Sequence, residues 1–255
     1  MIGILVDVTR CIGCRECVAA CVDANQLGKD MPLPQHAADG LSSQRWVSVI
    51  SRSKDRYVRK SCLHCLEPAC VSACPVGAMQ KTPEGPVIYD ASLCMGCRYC
   101  MMACPYGVPR YEWESTVPYV RKCTLCYSRL KEGKLPACVE ACPTDALTFG
   151  QRPALLAQAH QLIQSQPTKF VQTVYGEQEA GGTSILYISD ISLDWLGYHG
   201  APSPKPLPDY TALAMSLVAP TSLGVMALMA GTWWVIKRRM KLMGAKADSS
   251  GGETQ

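Results

Sequence analysis

Residues 94–105 read Cys94-Met95-Gly96-Cys97-Arg98-Tyr99-Cys100-Met101-Met102-Ala103-Cys104-Pro105. Gaps of two residues let three successive thiolates curl around one compact metal core, and a 4Fe–4S cube needs four such ligands. The fourth cysteine of this kind of run, followed by proline, points away and ligates a neighbouring core. The stretch therefore predicts a crossed pair of cores, which only a second run elsewhere in the chain can complete. Zinc also uses Cys-x2-Cys, but as two separated pairs, not as three cysteines in one run with a fourth after three more residues.

Outward from this run the chain repeats it. Numbered in chain order, it is group three. Group one, Cys11, Cys14, Cys17 and Cys21, has the same tight spacing, with Gly13 before its second cysteine where group three has Gly96. Group two, Cys62, Cys65, Cys70 and Cys74, is spaced C-x2-C-x4-C-x3-C and ends in Pro75. Group four, Cys123, Cys126, Cys138 and Cys142, is spaced C-x2-C-x11-C-x3-C and ends in Pro143. Groups two and four open alike, with Arg59-Lys60 ahead of Cys62 and Arg121-Lys122 ahead of Cys123. They also close alike, Cys74-Pro75-Val76-Gly77-Ala78-Met79 against Cys142-Pro143-Thr144-Asp145-Ala146-Leu147. The repeat predicts an outer ferredoxin-like unit from groups one and four and an inner unit from groups two and three.

The crossing rule then assigns ligands. Cys11, Cys14 and Cys17 share a cluster with Cys142, and Cys21 joins Cys123, Cys126 and Cys138. Cys62, Cys65 and Cys70 share one with Cys104, and Cys74 joins Cys94, Cys97 and Cys100. Four 4Fe–4S clusters, about sixteen irons per chain, are the expectation.

Composition narrows the alternatives. Sixteen cysteines in 255 residues would suit a disulfide scaffold only in a short secreted domain. Met1 to Arg10, MIGILVDVTR, has no basic n-region, apolar h-region or twin arginine, so no leader is expected on this chain. The formal charge of +4 counts thiolates as neutral. Four cages of about −2 each take the total to about −4, so no nucleic-acid partner follows from the basic pI. No Cys-x2-Cys precedes a histidine, and there is no dinucleotide or phosphate loop. Of His36, His64, His160 and His199, only His64 lies within a cysteine run. It reads as a hydrogen-bonded loop residue, because the cysteines already suffice. Arg15 and Arg98, set among the cysteines, are placed to favour reduced, more negative clusters. Tyr99, Tyr106 and Trp113 are expected to pack against clusters. No catalytic residue is expected.

The remainder organises around the clusters. Strands are predicted at Ile4–Val8, Val87–Asp90 and Ile185–Ser189, with another over Arg45–Ile50 inside an inserted segment, 22–61, whose Met31-Pro32-Leu33-Pro34 reads as loop. Pro153–Gln164 predicts a helix with Leu155, Leu156, Ala159, Leu162 and Ile163 on one face. Pro202, Pro204, Pro206 and Pro208 predict an extended spacer. Residues 210–236 carry no charge, and Thr211 to Ile236 as helix would run about 39 Å, enough to cross a bilayer core of about 30 Å. Trp233-Trp234 sit near one end, and Pro220 is a place for a kink. Lys237, Arg238, Arg239 and Lys241 follow, with Lys246 beyond, whereas Lys205 is the one basic residue in the twenty before Tyr210. This bias puts the tail, 237–255, in the cytoplasm and the cluster half on the periplasmic side. Domains are thus expected at 1–149, 150–209, 210–236 and 237–255, in an α+β fold of duplicated ferredoxin-like units with a helix/strand extension and one C-terminal membrane helix.

The blocks CIGCRECVAAC, CLHCLEPACVSACPVGAM, CMGCRYCMMACPYGVPRY and KCTLCYSRLKEGKLPACVEACPTDAL resemble the four-cluster subunits of molybdopterin oxidoreductases and membrane-bound hydrogenases. With YGEQEAGGTSILYIS and the single terminal helix, the chain is similar to the iron–sulfur subunits of periplasm-facing nickel–iron hydrogenase and of formate dehydrogenase N. The resemblance covers Ile4 to about Phe149 closely, and all sixteen cysteines are matched, so no 3Fe–4S cluster is implied. It implies an electron-transfer subunit between a catalytic subunit and an integral membrane quinone or haem subunit. The outer unit would face the former and the inner unit the latter. The alternative within the resemblance is a membrane-anchored subunit of another molybdopterin oxidoreductase, of polysulfide, sulfite or nitrite type. An enzyme in its own right is the contrasting class, and no pocket chemistry, flavin motif or spare nucleophile speaks for it.

Overall fold

The computed structural model describes residues 1–28, 39–52, 55–113, 115–116, 119–197 and 200–250, with side chains to residue 243. The expected loop at Met31–Pro34, and His36 and His199, lie outside the described residues. In chain order the elements are β1 (Ile2–Asp7), α1 (Glu16–Ala24), β2 (Ser48–Arg52), β3 (Arg56–Lys60), α2 (Ala69–Ser72), β4 (Met79–Lys81), β5 (Val87–Tyr89) and α3 (Tyr99–Ala103). They continue with β6 (Arg110–Tyr111), β7 (Val120–Arg121), α4 (Tyr127–Lys131), α5 (Ala137–Glu140), β8 (Leu147–Gln151), α6 (Arg152–Ser165), β9 (Ile185–Ile188) and α7 (Leu207–Ser250). Two units result, Met1–Pro208 and Asp209–Gln255.

In the first unit, β1 lies between β8, antiparallel with Leu5 opposite Thr148, and β9, parallel with Ile4 opposite Ile185. Both β1 and β9 read as near-continuous apolar runs, which suits strands covered on both faces. Alternation then sorts their side chains. Leu5, Leu186 and Ile188 pack with Leu155, Ala159 and Ile163 of α6. Ile4, Val6, Ile185 and Tyr187 join the core that holds the cysteines. Helix α6 extends the expected Pro153–Gln164 by one residue at each end, with Pro in its first turn where no donor is lost. Its buried positions fall four residues apart, and Leu156 and Leu162 pack partly buried beside them. Burying Leu155 and Ile163 contributes about 1.5–3 kcal/mol each.

The inner half is built on the β4–β5 hairpin, Met79 opposite Tyr89, over a smaller core of Cys70, Met79, Val87, Cys100, Tyr111 and Val120. The strand expected at Arg45–Ile50 is displaced to Ser48–Arg52. Trp46 Nε1 donates to Ser43 O (2.8 Å) and closes the preceding turn, in which Ser42 and Arg45 bond each other, so pairing with β3 starts only at Ser48.

The proline-rich stretch, expected as an extended spacer, is docked along its length. Ala180 N–H donates to Ser203 O (2.8 Å), and Pro206 packs so close to Gly181 that a Cβ there would lie 2.4 Å from its ring. The helix also begins at Leu207 rather than at 210, which places Pro208 in a first turn where a missing N–H costs nothing. In the second unit α7 continues through Pro220. Its 37-residue Leu207–Met243 stretch, which holds an 18-residue window of mean hydropathy 1.8, is the one described helix long and apolar enough to cross a membrane. Within it Thr221 donates to Leu217 O and Val218 O, and Thr232 to Met229 O, so these hydroxyls are satisfied by the helix itself.

Candidate metal centres

The four cysteine groups are built on repeated backbone irregularities. In groups one and three the glycine before the second cysteine is left-handed (Gly13 and Gly96, both φ 75°), and so is the arginine after it (Arg15 φ 65°, Arg98 φ 63°). In groups two and four the residue before the second cysteine takes that role (His64 φ 49°, Leu125 φ 57°). After each Cys-Pro a third left-handed residue turns the chain: Gly77, Gly107 and Asp145, whose N–H groups donate to the carbonyls of Cys74, Cys104 and Cys142. Glycine and aspartate tolerate this conformation best.

Group one lacks the proline, and α1 runs on through Cys21 to Ala24. In group three Pro105 holds Cys104 extended (φ −76°, ψ 116°) and α3 stops at Ala103.

The fold brings the thiols into four sets. One cavity is lined by Cys21, Cys123, Cys126 and Cys138, and a second by Cys11, Cys14, Cys17 and Cys142. In the inner half the thiols that act on Cys65 are Cys104, Cys62 and Cys70, and those that act on Cys100 are Cys74, Cys94 and Cys97. Among the described residues no His, Cys, Asp or Glu group is spaced to hold a metal ion. Sulfurs at a single zinc stand about 3.8 Å apart, for tetrahedral bonds of about 2.3 Å. Thiols arranged around a cavity suit a larger core.

Burial pushes the thiols up, Cys17 and Cys100 to about 11 and Cys21 and Cys70 to about 12, with neighbouring thiols adding to it. Thiolate character therefore has to come with the metal. Donors are already in place. The Cys123 sulfur accepts from Leu125 N–H (3.4 Å) and Cys138 from Arg59 Nη2 (3.3 Å), and the main-chain N–H groups of Val108, Tyr106 and Gly107 partly offset the burial of the Cys104 thiol. This donor set fits iron–sulfur cubes, whose potentials are tuned by hydrogen bonds to sulfur.

His64 is fully buried, and its Nδ1 accepts from Val87 N–H (2.9 Å). The imidazole proton then sits on Nε2. Burial first, then Lys122, Lys81 and Arg59, hold the ring neutral well below its usual pKa. Of the three aromatics expected against clusters, Tyr106 is buried, with its hydroxyl on Glu179 O (3.4 Å). Tyr99 and Trp113 are exposed instead. On a helix as short as α3 the cysteines occupy the inward directions, which turns Tyr99 outward. Trp113 stacks with Tyr111 and under Arg98, whose guanidinium carbon lies 4.7 Å from the Trp113 ring.

Arg59 was legible only as half of a basic pair ahead of group two. The hairpin carries it away from that group: it lines both outer cavities and is 2% exposed. Lys122, ahead of group four, crosses the other way. It is buried, bonds Val87 O and Cys123 O, and acts electrostatically on Cys70 and His64 of the inner half.

Two family models, each described as a 4Fe–4S dicluster domain, match residues 10–79 and 54–152. A protein of Nitratidesulfovibrio vulgaris is 43% identical over 257 residues, covering 94% of this chain and 68% of the relative. The hydrogenase-2 operon protein HybA of Escherichia coli O157:H7 is 37% identical, covering 74% of this chain and 70% of the relative. The iron–sulfur subunit of the nitrate-inducible formate dehydrogenase of Escherichia coli K12 is 33% identical, covering 89% and 81%. Two dicluster domains amount to four 4Fe–4S clusters, and sixteen cysteines supply four ligands for each.

Proposed function

Because this chain belongs to the family of iron–sulfur subunits built from paired 4Fe–4S dicluster domains, we propose that it is the electron-transfer subunit of a membrane-bound respiratory oxidoreductase complex. It relays electrons between a catalytic subunit, of hydrogenase or molybdenum/tungsten formate dehydrogenase type, and a membrane quinone or haem subunit. What supports this reading is that the outer thiols line two cavities, each drawing on groups one and four, and that the inner thiols neighbour one another across groups two and three. We assign the ligands as the spacing does: Cys11, Cys14, Cys17 and Cys142; Cys21, Cys123, Cys126 and Cys138; Cys62, Cys65, Cys70 and Cys104; Cys74, Cys94, Cys97 and Cys100. Each bound cluster accepts and releases one electron. The protein's own part is to hold the thiolates, exclude water by burial, and aim N–H donors and cations at the sulfurs.

The apolar helix is the membrane anchor in this reading. The cations after Ile236 favour a cytoplasmic C-terminus and a cluster half on the periplasmic side. Lys237 and Arg238 stack over Trp233 and Trp234 at 4.6 and 5.4 Å, a pairing suited to a membrane interface. No histidine lies between residues 207 and 243, so bilayer haem or quinone chemistry belongs to a partner.

The test is to isolate the tagged full chain in detergent, without oxygen, from native membranes. About sixteen irons per chain are expected, with a co-purifying subunit containing nickel, molybdenum or tungsten. The separated chain should exchange electrons with viologen dyes and turn over neither hydrogen nor formate. About eight irons, stoichiometric zinc, or turnover by the chain alone would refute the proposal. A C-terminal reporter active only outside the cytoplasm should stay silent, and a signal from it would reverse the topology.

A further inference from the structure

Among the described residues Arg59 alone lines both outer cavities. Its Nη1 donates to Ser61 Oγ (2.8 Å) and its Nη2 to Cys138 Sγ (3.3 Å), while Nε has no partner among the described residues. Tyr187 clamps it from outside, its hydroxyl donating to Arg59 O (3.0 Å). No described carboxylate pairs with it. Asp39 is taken by Lys60 and Arg110, and Asp190 by Arg56. Its electrostatic neighbours are Tyr187 and three thiols drawn from both outer sets, Cys138, Cys17 and Cys123. A buried guanidinium without a counter-ion is costly. A fold that keeps one between two cavities lined with thiols keeps it for the negative charge those cavities receive.

We propose that Arg59 is the shared counter-charge of the two outer clusters and raises both reduction potentials together. This rests on the ligand sets proposed above. Reduction adds one electron to a cluster that is already negative, and no proton need follow. A fixed positive charge with a sulfur hydrogen bond favours the more negative state. Because one guanidinium faces both sites, its loss should move two potentials at once. Lys81 and Lys122 keep their place in the inner half, so the inner pair should not move.

The experiment is a redox titration followed by electron paramagnetic resonance on the full chain, purified in detergent without oxygen. It compares wild type, Arg59→Gln and Arg59→Lys, with iron counted in each. Arg59→Gln is expected to disfavour reduction of both outer clusters about tenfold, a downward shift of about 59 mV for a one-electron couple, with the inner pair unchanged. Arg59→Lys, which keeps the charge and loses the fork, is expected to restore most of the shift. A shift confined to one cluster, equal shifts in all four, or none would overturn the proposal. Should Arg59→Gln lose iron, Arg59→Lys decides. Near-native outer potentials in it support the charge role, and iron loss in it too makes Arg59 a structural support only. The outer signals are identified with Cys142→Ser and Cys138→Ser, which must disturb two different clusters. Disturbance of the same cluster by both would refute the crossed ligand sets, separately from any result on Arg59.

Discussion

In the outer unit the buried cation donates to a sulfur; in the inner unit the cations donate to main-chain carbonyls. Arg59 reaches Cys138 Sγ, whereas Lys81 bonds the carbonyls of His64, Cys65 and Gly85, and Lys122 those of Val87 and Cys123. The two halves share a repeat of a basic pair ahead of a cysteine group, and in each a cation of the pair crosses to the other half's thiols. The chemistry at the far end differs because arginine presents a planar fork and lysine a point charge. Charge near a cluster therefore does not follow from the repeat that supplies it. The halves also differ in what encloses them. The outer unit is closed by β9 and α6, and the inner by a two-stranded hairpin and a small core.

The largest test of this comparison removes one crossing ligand from each half. Cys142→Ser and Cys104→Ser should each lower iron from about sixteen to about twelve per chain, or leave one damaged cluster. The cluster affected should be the one built on group one in the first case and on group two in the second. Loss of iron from the group that contains the mutated residue would break the correspondence between the halves.

A second test separates their packing. Gly13 and Gly96 share φ 75°, but a Cβ on Gly13 would meet the Tyr57 ring at 2.6 Å, and one on Gly96 only Tyr111 Oη at 3.2 Å. Both alanine variants incur left-handed strain of about 1–2 kcal/mol, and Gly13→Ala adds overpacking of about 1–3 kcal/mol. Chemical denaturation should rank Gly13→Ala as the more damaging. Equal effects would mean that the Tyr57 hairpin yields freely.

Asp39 ties the end of β3 to the start of β6, with Oδ2 at 3.2 Å from Lys60 Nζ and 2.6 Å from Arg110 Nη2. Burial opposes its ionisation, but Arg110 and Lys60 prevail and hold the carboxyl below its usual pKa. Asp39→Asn should cost about 1–2 kcal/mol, between surface and buried pairs. Since the folded pKa is the lowered one, this stabilisation is complete above the ordinary carboxylate range. The gap between wild type and variant should close as pH falls through the lowered value. A gap independent of pH would assign Asp39 a role other than its charge.

The smallest effect is expected at Arg98. It is exposed and stacked over Tyr111 and Trp113, so solvent screens it. Arg98→Gln should lower the potential of the nearby inner cluster by less than Arg59→Gln lowers the outer pair. A shift as large as that of Arg59 would mean that exposure to solvent does not weaken a cation's effect on these clusters.

Much of this was legible before any fold was known. Ligand spacing is local, because a thiolate two residues along the chain has little choice of where to reach. The glycines and prolines flanking the cysteines enforce that choice through φ alone. The apolar stretch after Tyr210 and the face of α6 were equally readable, since composition and a period of 3.6 residues need no partner to be seen. The start of α7 at Leu207 and the docking of Pro206 on Gly181 were not, because both depend on contacts distant in sequence.

The sequence by itself determined the cluster count, the repeat of the cysteine groups and the presence of an apolar helix, since each is written within a few residues or a single helical span. Tertiary structure alone decided that β9 pairs parallel to β1 across about 180 residues, that His64 is sealed beneath Val87, and that Arg59 lines both outer cavities instead of sitting beside group two. These depend on which surfaces bury one another, and burial is a property of the assembled sheet and hairpin, not of any one stretch of chain.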